Sequence, residues 1–440
     1  MAAPTRRDVL TASVTTLIAA PVAAMTNPGT SPGPDADITD RLSADLDRYI
    51  GFGNKASGGA GDTASGEWLQ AELAAAGFQV ERQAITVPWF EVRHASLTMG
   101  RDSAPLIPQA IVVPTAAGGV SGPLVRIDPG AGASGPLKGA IALLDLPFQR
   151  WSSAVAKPIR EPVTAAFAAG AAGVVIVTNG PSGEALALNA IGTVPMFPGP
   201  VGVIAPKLAR PFLADAIAGR TATLRIDGEG GTRPAFNLVG RIDRGAGDWI
   251  VVSTPRSGWF GCAGERGPGI AVWLALARWA GQAVTSHNLA FLCNSGHEYE
   301  NLGSEHALRG AAPPPDRTRF WLHLGANVAA RDWHELGAGL LMPLPSADPQ
   351  RFLVTSPALV DAARHAFAGQ PGLEMAYPSG QGSAGELTNI LAAGYTSVAG
   401  IFGAHRFHHT ATDDARCVSA ALAAQVFDSC RVMISGIFGL

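Results

Sequence analysis

The stretch Ser253-Thr-Pro-Arg-Ser-Gly-Trp-Phe-Gly-Cys-Ala-Gly-Glu-Arg-Gly-Pro-Gly269 decides how the rest of the chain is read. It follows Trp249-Ile-Val-Val252, an apolar run that reads as a buried strand brought to an end by Thr254-Pro255. It leads into Ile270-Ala-Val-Trp-Leu-Ala-Leu-Ala-Arg-Trp-Ala280, an apolar helix. In an open α/β sheet, the loop from a strand's carboxyl end to the next helix is where ligands bind. A Gly-rich loop there that carries one acid, Glu265, and two arginines, Arg256 and Arg266, points to a site. Taken alone, the same stretch reads equally well as a surface crossover loop.

Working outward, strands expected at 237–240, 249–253, 288–293, 320–324 and 397–402 are interleaved with helices expected at 269–280, 303–309, 357–369, 387–393 and 417–433. This pattern predicts an α/β fold, with a doubly wound, mostly parallel sheet covered by helices on both faces. Upstream, Trp68, Leu69, Leu73 and Ala76 recur at helical spacing with Gly77 at the C-cap, and residues 79–88 alternate as a strand. Residues 37–103 thus open a domain that 229–440 completes. Between them, short β-type runs at 109–113, 123–128, 140–145 and 173–178, punctuated by Gly and Pro, and a helix at 165–172 predict an inserted, mainly β domain spanning 104–228.

The N-terminus reads as an address. Thr5-Arg-Arg-Asp-Val-Leu10 precedes an uncharged segment, 11–24, that closes on Val22-Ala-Ala24. That is a secretory signal whose paired arginines suggest the twin-arginine route, so export to the periplasm or medium is expected. Its apolar part falls short of the roughly 20 residues a transmembrane helix needs. Residues 26–36 read as a spacer, and 1–36 are set aside as signal and spacer. A net charge of −3, with no basic run beyond the extreme N-terminus, leaves no footprint for nucleic acid. Four cysteines without a CxxC pair make neither a disulfide scaffold nor a thiolate zinc site; Cys417 and Cys430 could be bridged or packed as free thiols.

Four expected strand ends carry polar residues that their apolar neighbours do not explain. They are Thr254 with Arg256 and Glu265; His297-Glu298; His323; and His405 with His408-His409-Thr-Ala-Thr-Asp-Asp414. In a doubly wound sheet such ends converge on one edge. Histidine and glutamate together are zinc-type ligands, and adjacent acid–base groups can activate water. Taken alone, His323 reads as a hydrogen-bonded core histidine and His408-His409 as a solvated turn; their coincidence favours a site. No nucleophile elbow frames Cys262 or Ser257.

At these residues the chain resembles the di-zinc exopeptidases, the family of bacterial aminopeptidases, glutamate carboxypeptidase and glutaminyl cyclase. Asn288-Leu-Ala-Phe-Leu-Cys-Asn-Ser-Gly-His-Glu-Tyr-Glu-Asn-Leu-Gly-Ser304 is similar to the family's strand-loop segment, and Phe407-His-His-Thr-Ala-Thr-Asp-Asp414 to its closing His-Thr-Pro-x-Asp. Leu137-Lys-Gly-Ala-Ile-Ala-Leu-Leu-Asp145, Ala168-Ala-Gly-Ala-Ala-Gly-Val-Val-Ile-Val177 and Val194-Pro195 resemble the protease-associated domain often inserted in it. The resemblance implies a metal-dependent hydrolase acting on an amide bond of a small peptide or amino-acid derivative.

It also implies a rewired site. The family's His-x-Asp falls on Thr254-Pro-Arg256, its bridging Asp on Glu265, its general-base Glu on His297 and its next Glu on Glu298. Its later Asp ligand falls on His323 and its last His on His409. The expected metal set is therefore Glu265, Glu298, His323 and His409, holding one zinc, with Arg256 supplying charge where the family keeps a second. His297 is the expected base, and Arg256, Arg266 and Thr254 face the substrate. A cyclotransferase acting on aminoacyl groups and a catalytically silent binding protein are the competing readings.

Overall fold

The computed structural model describes residues 37–216, 219–337 and 340–440. The expected export signal therefore lies outside the described residues. The strand Trp249–Pro255 sits near the middle of the sheet's α/β portion, with Asn288–Asn294 and Thr318–Leu324 parallel to it on either side. Beyond Thr318–Leu324 come Val398–Gly403, parallel, and then Arg351–Thr355, antiparallel, with Ala376–Pro378 at the edge. The chain leaves the central strand first for one neighbour and then for the other. That creates a topological switch point at the end of Trp249–Pro255, where the adjoining loops diverge and leave a crevice. Register places Ser253 opposite His323, and His323 opposite Gly400, so polar residues far apart in sequence arrive at one edge.

Helices Ile38–Gly51, Ala263–Ala283 and Ala420–Phe438 pack together on one face of this sheet. Leu302–Gly310 and Glu386–Ala392 cover the other. The helix Ala263–Ala283 is buried on all sides from Ala263 to Ala277, as expected of a helix sandwiched between the sheet and two further helices. Among the described residues one helix, Ala420–Phe438, is long and apolar enough to cross a membrane; half of it is buried against the core.

The opening stretch departs from its sequence reading. The helix expected to begin at Gly269 begins at Ala263, so Glu265 and Arg266 lie in its first turns. The cause is remote in sequence: the Asp413 carboxylate accepts hydrogen bonds from Gly264 N at 2.6 Å and Glu265 N at 3.0 Å, capping a Gly-rich segment with little helix propensity of its own. Gly264 is required there, since a Cβ would lie 2.8 Å from His405 and 2.9 Å from Asp413.

Strand Gln79–Met99 pairs antiparallel with Thr221–Ile242 along almost its whole length, a two-stranded ribbon that runs out of the sheet. At its far end the segment between these strands builds two hydrophobic cores of its own. Its strands Val120–Asp128, Ile141–Asp145, Gly173–Val177 and Val201–Ile204 are parallel neighbours. It holds more helix than its Gly/Pro punctuation suggests: Lys157–Ala168 and Pro206–Ala216. In the second, Ala209, Phe212 and Ala216 are buried at helical spacing, and Pro211 masks the pattern in the sequence. Residues 109–113 form no strand.

Candidate active site

The first turn of Ala263–Ala283 points Glu265 into a wholly buried polar cluster. Glu265 Oε1 lies 2.7 Å from Arg266 Nη2 and 3.3 Å from His409 Nε2. Its Oε2 and Arg266 Nη1 are equally buried and have no hydrogen-bond partner. Burial opposes charge on Glu265, but Arg266, then His409 and His408, outweigh it and hold the carboxyl well below its usual range. His409 sits at a left-handed φ of 60° and directs Nδ1 at the carbonyl of Ala187, 2.8 Å away. Donation there leaves Nε2 as the atom facing Glu265.

His408 stacks on His409, with ring centroids 3.9 Å apart, and its Nδ1 is buried without a partner. Burial first, and His409 second, push the His408 imidazole well below the usual histidine range, so it stays neutral. Ligand atoms of Glu265, His408 and His409 all lie within 4.8 Å of one another. The two histidines are buried, not the solvated turn their sequence suggests, and Ala187 of the inserted segment bonds His409. Ala187 N donates to His409 O at 2.9 Å and Ala190 N to Glu298 O at 3.0 Å.

The other expected ligands are engaged elsewhere. Glu298 receives Ser57 N at 3.1 Å, Ser57 Oγ at 2.6 Å and Ser257 Oγ at 2.7 Å, a carboxylate bonded through both oxygens that ties three loops together. Ser257 thereby spends its proton on Glu298, while Gly296 N and His297 N donate back to it. His323 Nδ1 bonds Ser253 Oγ at 2.9 Å, and Ser253 also accepts Trp321 Nε1 at 2.7 Å. Burial pushes His323 down to about 4, so it is neutral near pH 7. Thr254 Oγ1 donates to the carbonyl of Leu324 at 2.8 Å, holding two parallel strands in line.

The two arginines, both expected to face the substrate, divide: Arg256 does not take the place beside the acid that the sequence suggests. Arg256 is buried with its donors distributed over the Asp62 carboxylate at 3.0 Å and the carbonyls of Cys293 and Phe236, and its guanidinium lies over the Phe236 ring. That is a scaffold for the loop, not a cation beside Glu265. The permanent charge beside the acid is Arg266, whose Nε is fixed to Ser257 O at 3.0 Å.

His297 is the one candidate with solvent reach, its side chain 11% exposed. Its Nδ1 lies 3.3 Å from Oε1 of Glu386, a buried residue the sequence reading missed. Asn294 Nδ2 holds the other oxygen of Glu386 at 2.9 Å. Burial opposes the charge on Glu386, but the His297 hydrogen bond, His323 and Asn294 together lower its pKa. The only sequence signal for Glu386 was an acid at a helix start after Gly385, which capping alone explains.

Among the described residues, one group is best suited to seat a metal. Glu265, His408 and His409 offer an acid–histidine–histidine set of zinc type, with orphaned buried polar atoms and a histidine whose far nitrogen is oriented by a carbonyl. Arg266 competes for the same carboxylate. A second buried group, His405, Asp413 and Cys417, is ligand-competent by composition, yet Asp413 is spent on the helix cap and on His405 Nε2 at 3.2 Å. All four cysteines are buried free thiols.

No known family matches the chain by sequence, and no curated protein sequence matches it. Solved structures do. A zinc aminopeptidase from Bacillus subtilis superposes with a TM-score of 0.69 over 90% of this chain and 94% of its own, at 17% identity. An aminopeptidase from Aneurinibacillus sp. strain AM-1 gives 0.65 over 91% and 95%, at 17% identity. An M28 peptidase precursor from Shewanella amazonensis SB2B gives 0.69 over 90% and 92%, also at 17% identity. The architecture is thus shared across nearly the whole of each chain.

Proposed function

We propose that the protein is an exported, metal-dependent amide hydrolase that acts on a small peptide or amino-acid derivative through a single metal. The observation that carries this reading is the buried Glu265–His408–His409 group, whose polar atoms are left unsatisfied at the switch point of a sheet shared with zinc aminopeptidases. Unpartnered buried polar atoms are costly and persist where function needs them. Glu265 and His409 would hold the metal with His408 as a third donor, in place of the Glu298 and His323 that the sequence suggested. A zinc ion so bound supplies Lewis acidity toward a carbonyl.

The chain's own residues supply the acid–base apparatus. Glu386, kept ionised, holds the Nδ1 proton of His297, which leaves Nε2 as the base able to take a proton from water. Arg266 adds fixed positive charge where a scissile carbonyl would develop negative charge, and its hold on Ser257 O keeps it in place. Burial of the group, with Ala187 against His409, would exclude bulk water.

Metal content of the purified protein, measured alongside turnover of a peptide and acyl-amino-acid panel with and without chelator, tests this. About one zinc per chain and chelator-sensitive hydrolysis are expected. Two zinc equivalents at full activity would sink the single-metal reading, and undiminished turnover in chelator would sink the metal reading altogether. The Glu265–Arg266 contact at 2.7 Å favours a second reading, a metal-free binding protein in which the arginine neutralises the acid. Absence of both metal and hydrolysis would favour that.

A further inference from the structure

A cavity of about 610 Å³ is lined by Trp259 and Phe260 of the same loop but by none of Glu265, His408 and His409. Its walls come from the 52–61 turn, both strands of the ribbon (residues 88–92 and Arg233), residues 107–112 at the start of the inserted segment, the loop bearing Trp259 and Phe260, and Tyr299. That volume falls within the roughly 300–1,000 Å³ of pockets that take small ligands, and sites at the junction of structural units are common.

The chemistry of the wall is specific. Trp89, Phe90, Trp259, Phe260 and Tyr299 all contribute to it. The polar ends of two of these are turned back into the protein. Trp259 Nε1 donates to Asn189 Oδ1 at 2.9 Å and Tyr299 Oη to Pro88 O at 2.7 Å. What remains facing the cavity is ring surface, with Trp259 and Tyr299 set edge to face at 6.4 Å. Phe260 is held at a left-handed φ of 59°, a conformation that a bulky residue adopts only where its surroundings impose it.

One cation stands on this wall. Arg233 donates Nε to Ser57 O at 2.7 Å and Nη2 to Ala56 O at 3.1 Å, and among the described residues no carboxylate pairs with it. Glu91, the other charge on the wall, is on the same ribbon but opposite Glu229, whereas Arg233 is opposite Val87. Four residues of strand, roughly 13 Å at 3.3 Å per residue, therefore separate the two positions.

We propose that this cavity is the recognition site for a substrate with a large aromatic side chain and a free carboxylate, the ring in the aromatic pocket and the carboxylate on Arg233. The inference rests on the amide-hydrolase reading for its use of the word substrate; the binding itself does not. Tyr299 is two residues from His297 in the same short turn, and Trp259 lies on the loop that leads to Glu265, so an occupant of the cavity borders the segments that carry the chemistry. The compound class is an N-acyl aromatic amino acid or a short peptide ending in an aromatic residue.

Calorimetric titration of the full chain with N-acetyl-phenylalanine, N-acetyl-phenylalaninamide and N-acetyl-alanine tests the proposal without requiring turnover. N-acetyl-phenylalanine should bind at least tenfold tighter than N-acetyl-alanine and severalfold tighter than its own amide, with or without chelator. Trp89→Ala should weaken it about tenfold. Arg233→Met should erase the preference for acid over amide while leaving amide affinity unchanged, and Arg233→Lys should keep the preference even if the Met variant folds poorly. Equal affinity for the phenylalanine and alanine compounds, or an acid preference that survives Arg233→Met, overturns the proposal. Loss of the acid preference in chelator overturns it too, because the carboxylate would then be bound by metal. Tight binding without any amide turnover would instead count against the hydrolase reading alone.

Discussion

Two clusters of buried polar side chains flank the start of the helix Ala263–Ala283, and they are built in opposite ways. Around Glu298 both carboxylate oxygens are bonded, through three donors from Ser57 and Ser257, and Asp62 Oδ1, itself without a hydrogen bond, closes a neighbouring ion pair with Arg256. Around Glu265 the satisfaction is incomplete, with Glu265 Oε2, Arg266 Nη1 and His408 Nδ1 left without hydrogen bonds. Both regions are equally buried. A carboxylate held through both oxygens rigidifies its loops and has little left to offer a ligand, whereas an under-bonded one stores unmet coordination capacity. The difference separates scaffold from site more sharply than residue type does, since each cluster is centred on a glutamate.

The largest expected effect falls on the under-bonded side. His409→Ala should remove the bound metal and reduce turnover to background, read by metal analysis and by hydrolysis rate. Glu265→Ala should do the same and also lower unfolding stability by about 3–5 kcal/mol, because it strands Arg266 as an unpaired buried charge. A Glu265→Ala protein as stable as the parent in urea would show that the pair is not held as described. Next in size, His297→Ala should lower kcat by about 10²–10⁴ with metal content intact, the usual range for a lost general base. Glu386→Gln should lower kcat less and leave KM nearly unchanged, as expected for a residue that orients the base without touching substrate.

The contrast between the clusters could not be read from sequence, although much of the architecture could. The strands at 249–255, 288–294, 318–324 and 398–403 are continuous apolar runs bounded by turn residues, and such runs announce themselves. The convergence of Glu265 and His409 followed from placing strand ends on one edge of a doubly wound sheet. Three things were hidden. The start of the Gly-rich helix depends on Asp413, some 150 positions away, which no local propensity encodes. The burial of His408 and His409 depends on Ala187, contributed by a segment that folds around separate cores. Arg256 and Arg266 look alike in sequence, and only the positions of Asp62 and Glu265 divide them into scaffold and site. Pairing across such distances is a tertiary property; composition at a strand end shows that polar groups gather but not which of them remain unsatisfied.

On the Glu298 side, the effect should be moderate and of a different kind. Glu298→Ala removes the common acceptor of Ser57 and Ser257 and leaves their buried donors unmet. Loss of hydrogen bonds to a charged group should cost about 2–3 kcal/mol, measured as a shift in the urea midpoint. Zinc content should be unchanged. If Glu298→Ala instead releases the metal while stability holds, the assignment of Glu298 to the scaffold fails and the sequence-based ligand set is restored.

The smallest effect concerns the pair His405–Asp413, which supports the helix cap from behind. Burial works against a charged His405, but Asp413 at 3.2 Å, assisted by Asp348 and Glu265, outweighs it and raises the imidazole pKa above its ordinary value. A group whose folded pKa is raised contributes stability below its unfolded pKa, about 6.5 for histidine, and that contribution is lost as pH rises through the folded value. The stability difference between the parent and His405→Gln should therefore be largest near pH 6, on the order of 1 kcal/mol for one charge-assisted hydrogen bond, and should shrink toward pH 9. The same scan on Glu386→Gln should run the other way. There the lowered carboxyl contributes above its ordinary pKa and fades as pH falls through the folded value. Parallel pH profiles for the two variants would mean that the two histidine–carboxylate pairs share one electrostatic environment. Opposed profiles would mean that one pair holds a protonated histidine behind the helix, while the other holds a carboxylate ready to orient a base.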